Sequence, residues 1–356
     1  MPRRVPRVFA IDLFCGAGGL SNGLQDAGIP VLAGIDVDEQ CRFPFETNIG
    51  SPFLNMDVRD VDAEHLNSLW EGSEVRLLAG CAPCTPFSPY RRGTDTSSEE
   101  KWPLLDDFGR LVAETEPDLI TMENVPRIAS AAVFLRFVEQ LRGAGYHVAH
   151  GTCSCLDFGL AQMRRRLVLV ASKLSAVTVP RGDDRPRRTV RNEIGELPTL
   201  KAGEVDPEDS LHRSRSLSKI NLRRMRASRP GGNWHDWPAE LRAPCHRRAT
   251  GATFRNVYAR MEWDEPAPTI TTMAYNFGTG RFGHPEQNRA LTLREAAMLQ
   301  GFCRDYQFVR QGSPVRFNRL GTLIGNAVPP PLGQAIGRAL LAHVEEVAGP
   351  QETRRG

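Results

Sequence analysis

The chain has 356 residues, a hydrophobic content of 40%, and 45 Lys and Arg residues against 42 Asp and Glu. This length is sufficient for one large domain or two of medium size with a proper core. No apolar run is long enough to span a membrane, and no signal-peptide core follows the basic start, so we expect a cytoplasmic protein. Eight cysteines without an export signal indicate reduced thiols rather than a disulfide framework.

The charge is distributed unevenly. Residues 173–262 carry a net charge of +8, whereas the rest of the chain carries −5. A basic segment in a mildly acidic frame suggests a polyanionic partner. Only four of the 45 basic residues are lysine, which indicates a bias toward arginine codons. Such a bias explains why arginine replaces lysine, but it does not explain the local excess of positive charge.

Short apolar runs alternate with segments of helical periodicity over the first 172 residues. This alternation predicts an α/β fold with a mostly parallel sheet and helices on both faces. The predicted strands are 8–13, 31–36, 75–79, 119–123 and 166–171. The predicted helices are 20–27, 39–48, one that closes at 66–70, 107–116 and 134–143.

The composition changes after Lys173. Residues 180–265 are rich in Pro, Gly, Arg and Trp, and they predict a second, loop-rich domain or a large insertion. Regular patterning returns at 291–300, where Thr292 and Glu295 form the capping box of a helix. Residues 332–347 predict a final amphipathic helix, and the tail 351–356 is expected to be frayed.

A cysteine follows the third predicted strand. In an open α/β sheet, ligands and chemistry lie at the carboxyl ends of strands, where Cys84 is expected. A thiol presented there is a candidate nucleophile. Two other interpretations stay open on these residues alone. Cys81 and Cys84 form a C-x-x-C pair that could be redox-active or half a zinc site, and Cys84 could be a buried small hydrophobe.

A glycine-rich loop follows the first strand. Residues 12–19 read D-L-F-C-G-A-G-G, and Asp36 ends the second strand 18 residues after Gly18. Such glycines expose helix N-terminal amides, and such a carboxylate binds ribose hydroxyls. The third glycine of the dinucleotide fingerprint is missing, which favours a nucleoside-type cofactor without a pyrophosphate. A dinucleotide site and a tight turn without a ligand are the alternatives.

Three further segments could carry chemistry. Glu123 ends a buried strand and could act as an acid, or it could be an ordinary acid before Pro126. Residues 162–166 read Q-M-R-R-R. Strand alternation predicts that Gln162, Arg164 and Arg166 lie on one face. The two guanidinium groups on that face could bind an anion or a base edge. A solvated charge run is the alternative. Residues 325–331 form a rigid, proline-rich loop before the last helix.

Together and in this order, these segments resemble the DNA cytosine-5 methyltransferase family over nearly the whole chain outside residues 175–265. Six segments of the chain match motifs of this family. They are the cofactor loop, the P-C-x-x-F-S segment, the E-N-V segment, the Q-x-R-x-R segment, the R-x-L-T-x-R-E-x-A helix and the G-N-A-V-P-P segment. The chain departs from the family pattern at Thr85, Ala161 and Cys303, which replace a glutamine and two prolines, and none of these changes removes a catalytic group.

The resemblance implies specific roles. Cys84 would add as a thiolate to cytosine C6, Glu123 would hold or protonate N3, and Arg166 would bind O2. Arg164 would lower the thiolate pKa or brace Glu123, and Cys81 would be a bystander. S-adenosylmethionine would be the methyl donor, and no metal is expected. The expected cofactor-binding residues are Phe14, Gly16, Gly18, Asp36, Val37, Asp57, Pro83, Asn326 and Val328. Val37 stands where many members carry an aromatic residue.

The resemblance also implies the architecture and partners. We expect a Rossmann-like S-adenosylmethionine-dependent methyltransferase domain from residues 1–175 and 318–350. A smaller loop-rich target-recognition domain, 176–317, would face it across a DNA cleft. The expected partner is double-stranded DNA, bound by a monomer in a bacterial cytoplasm, with any restriction endonuclease acting separately and no membrane contact. A tRNA methyltransferase, a redox protein and a non-catalytic DNA-binding module are the competing functions.

Overall fold

The structure is a computed structural model, and it describes residues 5–83, 103–182, 186–248, 251 and 256–349. The described residues form two compact units. The first draws on Met1–Ser154, Arg165–Asp183 and Val328–Gly356, and the second on Cys155–Arg164 and Asp184–Ala327. The expected tail 351–356 lies outside the described residues.

The first unit is built around a seven-stranded sheet. The strands are β1 Val8–Leu13, β2 Val31–Asp36, β3 Phe53–Asn55, β4 Val75–Gly80, β5 Leu119–Asn124, β6 His147–Ser154 and β8 Arg165–Ser172, with β7 in the second unit. Their order in the sheet is β3-β2-β1-β4-β5-β8-β6. All neighbours are parallel except β8, which runs antiparallel to both β5 and β6. The predicted α/β class with a mostly parallel sheet is therefore confirmed.

Helices cover both faces of this sheet. The helices described in this unit are α1 Gly19–Ala27, α2 Arg42–Ile49, α3 Ala63–Leu69, α4 Pro103–Thr115, α5 Ala132–Gly143 and α10 Pro330–Ala348. Because successive strand residues point to opposite faces, Ile11 and Leu13 of β1 enter the main hydrophobic cluster, whereas Asp12 between them bonds to Ser21 of α1. The main cluster also takes residues from α3, α4 and α5.

The last helix packs against the first at a glycine-lined crossing. A Cβ on Gly23 of α1 would overlap the backbone of Pro330 and Gln334 in α10, and one on Gly337 would lie 2.6 Å from the Cβ of Ala27. Glycine therefore lets the two helix backbones approach closely, which joins the C-terminal segment to the start of the chain.

The second unit contains little regular structure. Its elements are β7 Gln162–Met163, α6 Val190–Ile194, α7 Lys219–Ala227, β9 Ala267–Pro268, α8 Leu293–Leu299 and α9 Phe317–Asn326. β7 and β9 form a two-stranded parallel sheet. The predicted capping box of α8 is present, because Thr292 accepts the amide of Glu295 and Glu295 accepts the amide of Thr292.

The unit boundaries differ from the expected domain boundaries. Residues 318–327 belong to the second unit, and so do 155–164. The reason is close packing: a Cβ on Gly325 of α9 would overlap the backbone at Thr271 and Thr272, and one on Gly321 would lie 2.5 Å from the carbonyl oxygen of Thr272. The sequence pattern predicts no helix over 317–326, and it does not indicate the unit against which these residues pack.

Arginine side chains cross-link the irregular backbone of the second unit. Arg260 is buried and donates to the carbonyl oxygens of Met225, His284 and Gln287. Arg224 donates to the carbonyl oxygen of Leu241. Buried carbonyl groups need partners, and loops cannot supply them from a helix or sheet ladder. Part of the arginine excess in residues 173–262 is therefore structural and does not face a polyanion.

A buried histidine should make this unit sensitive to acid. His284 is 1% exposed, and its Nδ1 accepts the amides of Glu286 at 3.1 Å and Gln287 at 2.9 Å, which requires the neutral ring. Burial lowers the pKa of His284 to about 4, despite the opposing charge of Glu295. Because the unfolded chain binds this proton near pH 6.5 and the folded unit does not, stability is lost as pH falls from about 6.5 to about 4.

The expected loss is roughly 3 kcal/mol in the free energy of unfolding. Urea denaturation followed by tryptophan fluorescence at pH 7 and pH 4.5 measures it. In the His284→Asn variant, an amide oxygen can accept the same N–H groups without titrating. The decrease in the free energy of unfolding between pH 7 and pH 4.5 should therefore be clearly smaller than in the wild-type protein. An equal fall in both proteins would contradict the role of His284.

Within the described ranges, no helix is both long enough and apolar enough to cross a membrane.

Candidate active site

Two neighbouring strands of the first unit bring a carboxylate beside the segment that leads to Cys84. β4 and β5 are parallel, with Gly80 opposite Met122, so Glu123 at the end of β5 lies next to Cys81. Glu123 is 3% exposed. Its Oε2 accepts from the Sγ of Cys81 at 3.1 Å, and its Oε1 lies 3.0 Å from the Nε of Arg166 in β8. Glu123 and Arg166 therefore form a nearly buried ion pair at the carboxyl edge of the sheet.

The adjacent asparagine holds the segment after β4. The Nδ2 of Asn124 donates to the carbonyl oxygen of Ala82 at 2.9 Å, and the Oδ1 of Asn124 accepts the amide of Val125. Ala82 is buried in the main hydrophobic cluster, and Pro83 after it is exposed. Cys84, the expected nucleophile, lies outside the described residues. The backbone is thus fixed two residues before Cys84.

The glycine-rich loop has the backbone that the sequence predicts for a ligand loop. Phe14, Gly16 and Gly18 all have positive φ, at 57°, 53° and 86°. A Cβ added at Gly16 would meet no atom within 4 Å. Gly18 is the N-cap of α1 and has no side chain with which to cap the helix. Open space at Gly16 and a helix N-terminus without a side-chain cap suit a polar ligand.

Asp36 closes this loop from the end of β2. Its Oδ2 accepts the amide of Gly16 at 3.0 Å and its Oδ1 the amide of Asp38 at 2.9 Å. Burial raises the pKa of Asp36 in spite of these two hydrogen bonds. Val37 beside it is 68% exposed, which is unusual for an apolar side chain. The residues therefore fit a nucleoside, with a carboxylate for hydroxyl groups and an apolar surface for a base.

Asp57 follows β3, the neighbour of β2. Hydrogen bonds from the side chain and amide of Arg59 lower the pKa of Asp57 to about 2. Both carboxylate oxygens accept from Arg59, so the side chain is ionised and held in one orientation. A carboxylate has about four lone-pair sites, and acceptor capacity remains for an amino group of a ligand.

Asp12 at the end of β1 is a polar group that the sequence analysis used only as part of the loop. It is 1% exposed, and burial raises its pKa to about 7 although Ser21 donates to its Oδ2 at 2.6 Å. Among the described residues, no hydrogen-bond partner reaches its Oδ1. A carboxyl group that titrates near neutrality thus lies directly before the ligand loop.

The expectation that Gln162, Arg164 and Arg166 share one strand face is wrong. β7 ends at Met163 and β8 begins at Arg165, so Arg164 interrupts the strand. Gln162 and Arg164 belong to the second unit and Arg166 to the first. Gln162 pairs with Ala267 of β9 in the second unit, and its Oε1 accepts the amide of Ile270, which follows that strand.

Arg164 is 2% exposed and binds carbonyl groups within its own unit. Its guanidinium donates to Ile270 at 3.1 Å, to Gly325 at 3.3 Å and to Ala327 at 3.4 Å. The last two carbonyl groups close the carboxyl end of α9, where a cation is favourable. Arg164 therefore holds the end of the helix that carries Asn326. Asn326 is exposed, and Val328, which is 5% exposed, already belongs to the first unit.

The contacts of Cys81 and Asn124 could not be predicted from the sequence. Both residues lie within sequence motifs, but each contacts a neighbour on another strand. The C-x-x-C spacing indicates a redox or zinc residue at Cys81 and not a contact with Glu123. The E-N-V segment contains Asn124, but the sequence assigns no function to it. Only the strand register, which the sequence does not give, pairs them with Glu123 and Ala82.

Comparisons with known proteins agree with these features. Residues 8–342 match the family model of C-5 cytosine-specific DNA methylases. The Type II methylase M.HgiDII of Herpetosiphon aurantiacus is 45% identical over 349 residues, covering 97% of this chain and 98% of that protein. The Type II methyltransferase M1.HphI of Haemophilus parahaemolyticus is 32% identical, with 93% and 86% covered.

Solved structures show the same fold. A protein encoded within an E. coli prophage superposes with a TM-score of 0.73 at 21% identity, covering 94% of this chain and 98% of that one. The Entamoeba histolytica methyltransferase EhMeth gives a TM-score of 0.67 at 14% identity, with 96% and 98% covered. The family match over residues 8–342 and the 45% identity show that the chain belongs to the C-5 cytosine-specific DNA methylases and is a DNA (cytosine-5)-methyltransferase.

Proposed function

We propose that the enzyme methylates C5 of a cytosine within a specific sequence of duplex DNA, through a covalent bond between Cys84 Sγ and cytosine C6. The observation that carries this proposal is the position of Glu123, whose carboxylate lies beside the segment leading to Cys84 and contacts Arg166. A base stacked in a duplex is inaccessible to such a buried carboxylate, so the target cytosine must leave the helix.

The chemistry follows from the residues. Cytosine C5 is a poor nucleophile, and addition of the Cys84 thiolate to C6 converts the ring into an enamine whose C5 attacks the methyl group of the donor. When bound, S-adenosylmethionine would supply that methyl group from its electrophilic sulfonium, whose S–CH3 bond breaks to leave a neutral thioether. Glu123 hydrogen-bonds N3 and stabilises the charge that develops on the ring, and Arg166 binds O2 while it holds Glu123. Loss of the C5 proton to water then expels the Cys84 thiolate.

The first unit would hold the methyl donor at the glycine-rich loop. Phe14, Gly16 and Gly18 line the cofactor site, and Asp36 accepts hydrogen bonds from the ribose hydroxyl groups. Val37 offers the adenine a smaller apolar surface than an aromatic residue would. The remaining contacts proposed for this unit are Asp57 at the adenine amino group, Pro83 and Val328. Asn326 is proposed as a cofactor contact from the family resemblance, and Arg164 holds the end of α9 that carries it.

One face of α7 is suited to DNA phosphates. Lys219, Arg223 and Arg226 are exposed at helical spacing, the helix contains no acidic residue, and no ion pair to these three is found among the described residues. Arg224 instead turns inward over the rings of Trp237 and Tyr258. The three outward cations therefore remain available for a polyanion.

We expect the Arg223→Gln/Arg226→Gln variant to bind duplex DNA about tenfold more weakly, irrespective of sequence. The slope of log affinity against log salt should fall by about 2, because each phosphate contact contributes about 0.9. Fluorescence anisotropy across a salt series measures both. The matched control is Arg136→Gln/Arg142→Gln, which removes two exposed charges from α5 of the first unit. Equal effects of the two variants would contradict a phosphate contact at α7.

The relatives support a place in bacterial DNA modification, because the first two are named Type II enzymes. We infer a restriction-modification or orphan modification enzyme that acts as a monomer on DNA in the cytoplasm, associated with the nucleoid, with any cognate endonuclease acting separately. Bisulfite sequencing of a methylation-free host that expresses the protein tests this function. One fully methylated cytosine within a short recurring sequence is expected, and an unmethylated genome would contradict it.

A further inference from the structure

The two oxygens of the Glu123 carboxylate have different partners. Oε1 faces the Arg166 guanidinium at 3.0 Å, and Oε2 accepts from the Cys81 thiol at 3.1 Å. An ionised carboxylate has about four lone-pair sites, so each oxygen keeps capacity for a cytosine. The Arg166 contact is a strong charge pair. The Cys81 contact is weak by nature, because a thiol is a poor hydrogen-bond donor.

We propose that Cys81 is a positioning residue that acts through Glu123. Its thiol fixes the rotation of the carboxylate and thereby the direction in which Oε2 meets cytosine N3. This inference rests on the proposed function, in which Glu123 contacts N3. It replaces the interpretation of Cys81 as a bystander.

The backbone around Cys81 is fixed on both sides. The amide of Cys81 donates to the carbonyl oxygen of Leu13 at 3.3 Å, and the next carbonyl group, that of Ala82, accepts from Asn124. β4 ends at Gly80 in register with Met122 of β5. The backbone that carries the Sγ is therefore fixed beside Glu123, and only rotation about the Cα–Cβ bond of Cys81 could break the contact. A fixed donor beside a nearly buried carboxylate is able to control its orientation.

The two substitutions should affect the carboxylate differently. Cys81→Ala removes the donor to Oε2, so the carboxylate should be less well oriented toward cytosine. Cys81→Ser keeps a donor, and a hydroxyl is a stronger donor than a thiol, so the orientation should be kept. A side chain that merely fills space would give similar kcat values for the two variants.

The experiment compares kcat and KM for the wild-type enzyme, Cys81→Ala and Cys81→Ser on duplex DNA. Cys303→Ala, which removes an exposed cysteine of the second unit, is the matched control. Cofactor binding by calorimetry reports whether each variant is folded.

For Cys81→Ala we expect kcat about fivefold lower with unchanged KM values. Cys81→Ser should keep kcat within about twofold of the wild-type value. Should Cys81→Ala fail to bind the cofactor, Cys81→Ser decides alone, and a kcat about fivefold or more below the wild-type value would overturn the inference.

Wild-type behaviour of both variants would overturn the inference, and so would equal losses of kcat in the two variants. These results differ from a failure of the proposed function. Absence of methyl transfer by the wild-type enzyme in the same assay would contradict both, whereas normal wild-type methylation with unaffected Cys81 variants contradicts only the role of Cys81.

Discussion

The Cys84→Ser variant should lose methyl transfer by at least about 10³-fold. A thiol of ordinary pKa is partly ionised near neutral pH, whereas a serine hydroxyl is not, so the variant lacks the nucleophile that must add to cytosine C6. Only one atom changes, and affinity for the cofactor and for DNA should therefore remain close to wild type. Transfer of a labelled methyl group to duplex DNA, measured beside cofactor and DNA binding, gives the three readouts.

Cys303→Ser is the control for this experiment, because Cys303 is an exposed cysteine outside the proposed site. It should methylate at the wild-type rate. Turnover of Cys84→Ser within a few-fold of wild type would contradict nucleophilic catalysis by this residue, and loss of cofactor binding would show that the substitution had damaged more than the nucleophile.

The Glu123→Gln variant should lower kcat about 10²–10³-fold with little effect on KM. An amide cannot hold or deliver a proton at cytosine N3 as a carboxyl group does, and it also leaves Arg166 without its anionic partner. The binding of cofactor, which involves other residues, should persist. Single-turnover methylation separates the chemical step from DNA binding and product release.

Glu139→Gln on the exposed face of α5 is the matched control, since it makes the same chemical change at a solvated position. Its kcat should equal that of the wild-type enzyme. A Glu123→Gln enzyme whose kcat is retained but whose KM rises would assign Glu123 to substrate binding alone, in contradiction to its proposed part in the chemical step.

Elements with local signals could be predicted from the sequence. The buried strands β1, β2, β4 and β5 are apolar runs in the sequence, and the glycine-rich loop between β1 and α1 is visible in it directly. The α8 capping box needs only residues three positions apart. Each of these features depends on near neighbours in the chain, which is why a single sequence was sufficient.

Edge structure and non-local packing could not be predicted. β6 was missed because it lies at the edge of the sheet, and its polar sequence is mostly exposed or half-buried. The alternation of residues 162–166 wrongly predicts that Gln162, Arg164 and Arg166 share one strand face. The chain passes from the second unit to the first between residues 164 and 165, and alternation alone cannot reveal such a change. α9 was assigned to the other unit, since its glycines indicate close packing but not the partner.

The contacts of the candidate-site residues could not be predicted from the sequence alone. Glu123 and Arg166 come together as the resemblance implies, whereas Arg164 donates to carbonyl groups at the end of α9. Cys81, expected to be a bystander, contacts Glu123. The partners of a polar side chain depend on strand register and unit boundaries, and these are decided by the packing of the whole chain.

The most direct test of the covalent mechanism is a reaction with duplex DNA that contains 5-fluorocytosine at the target. Fluorine at C5 cannot leave as the proton does, so the adduct should persist after methyl transfer and survive denaturing electrophoresis. Cys81 and Cys84 share the tryptic segment 77–91, and fragment ions must therefore locate the modified sulfur. The account predicts a cofactor-dependent adduct at Cys84; no adduct, or an adduct at Cys81, would contradict it.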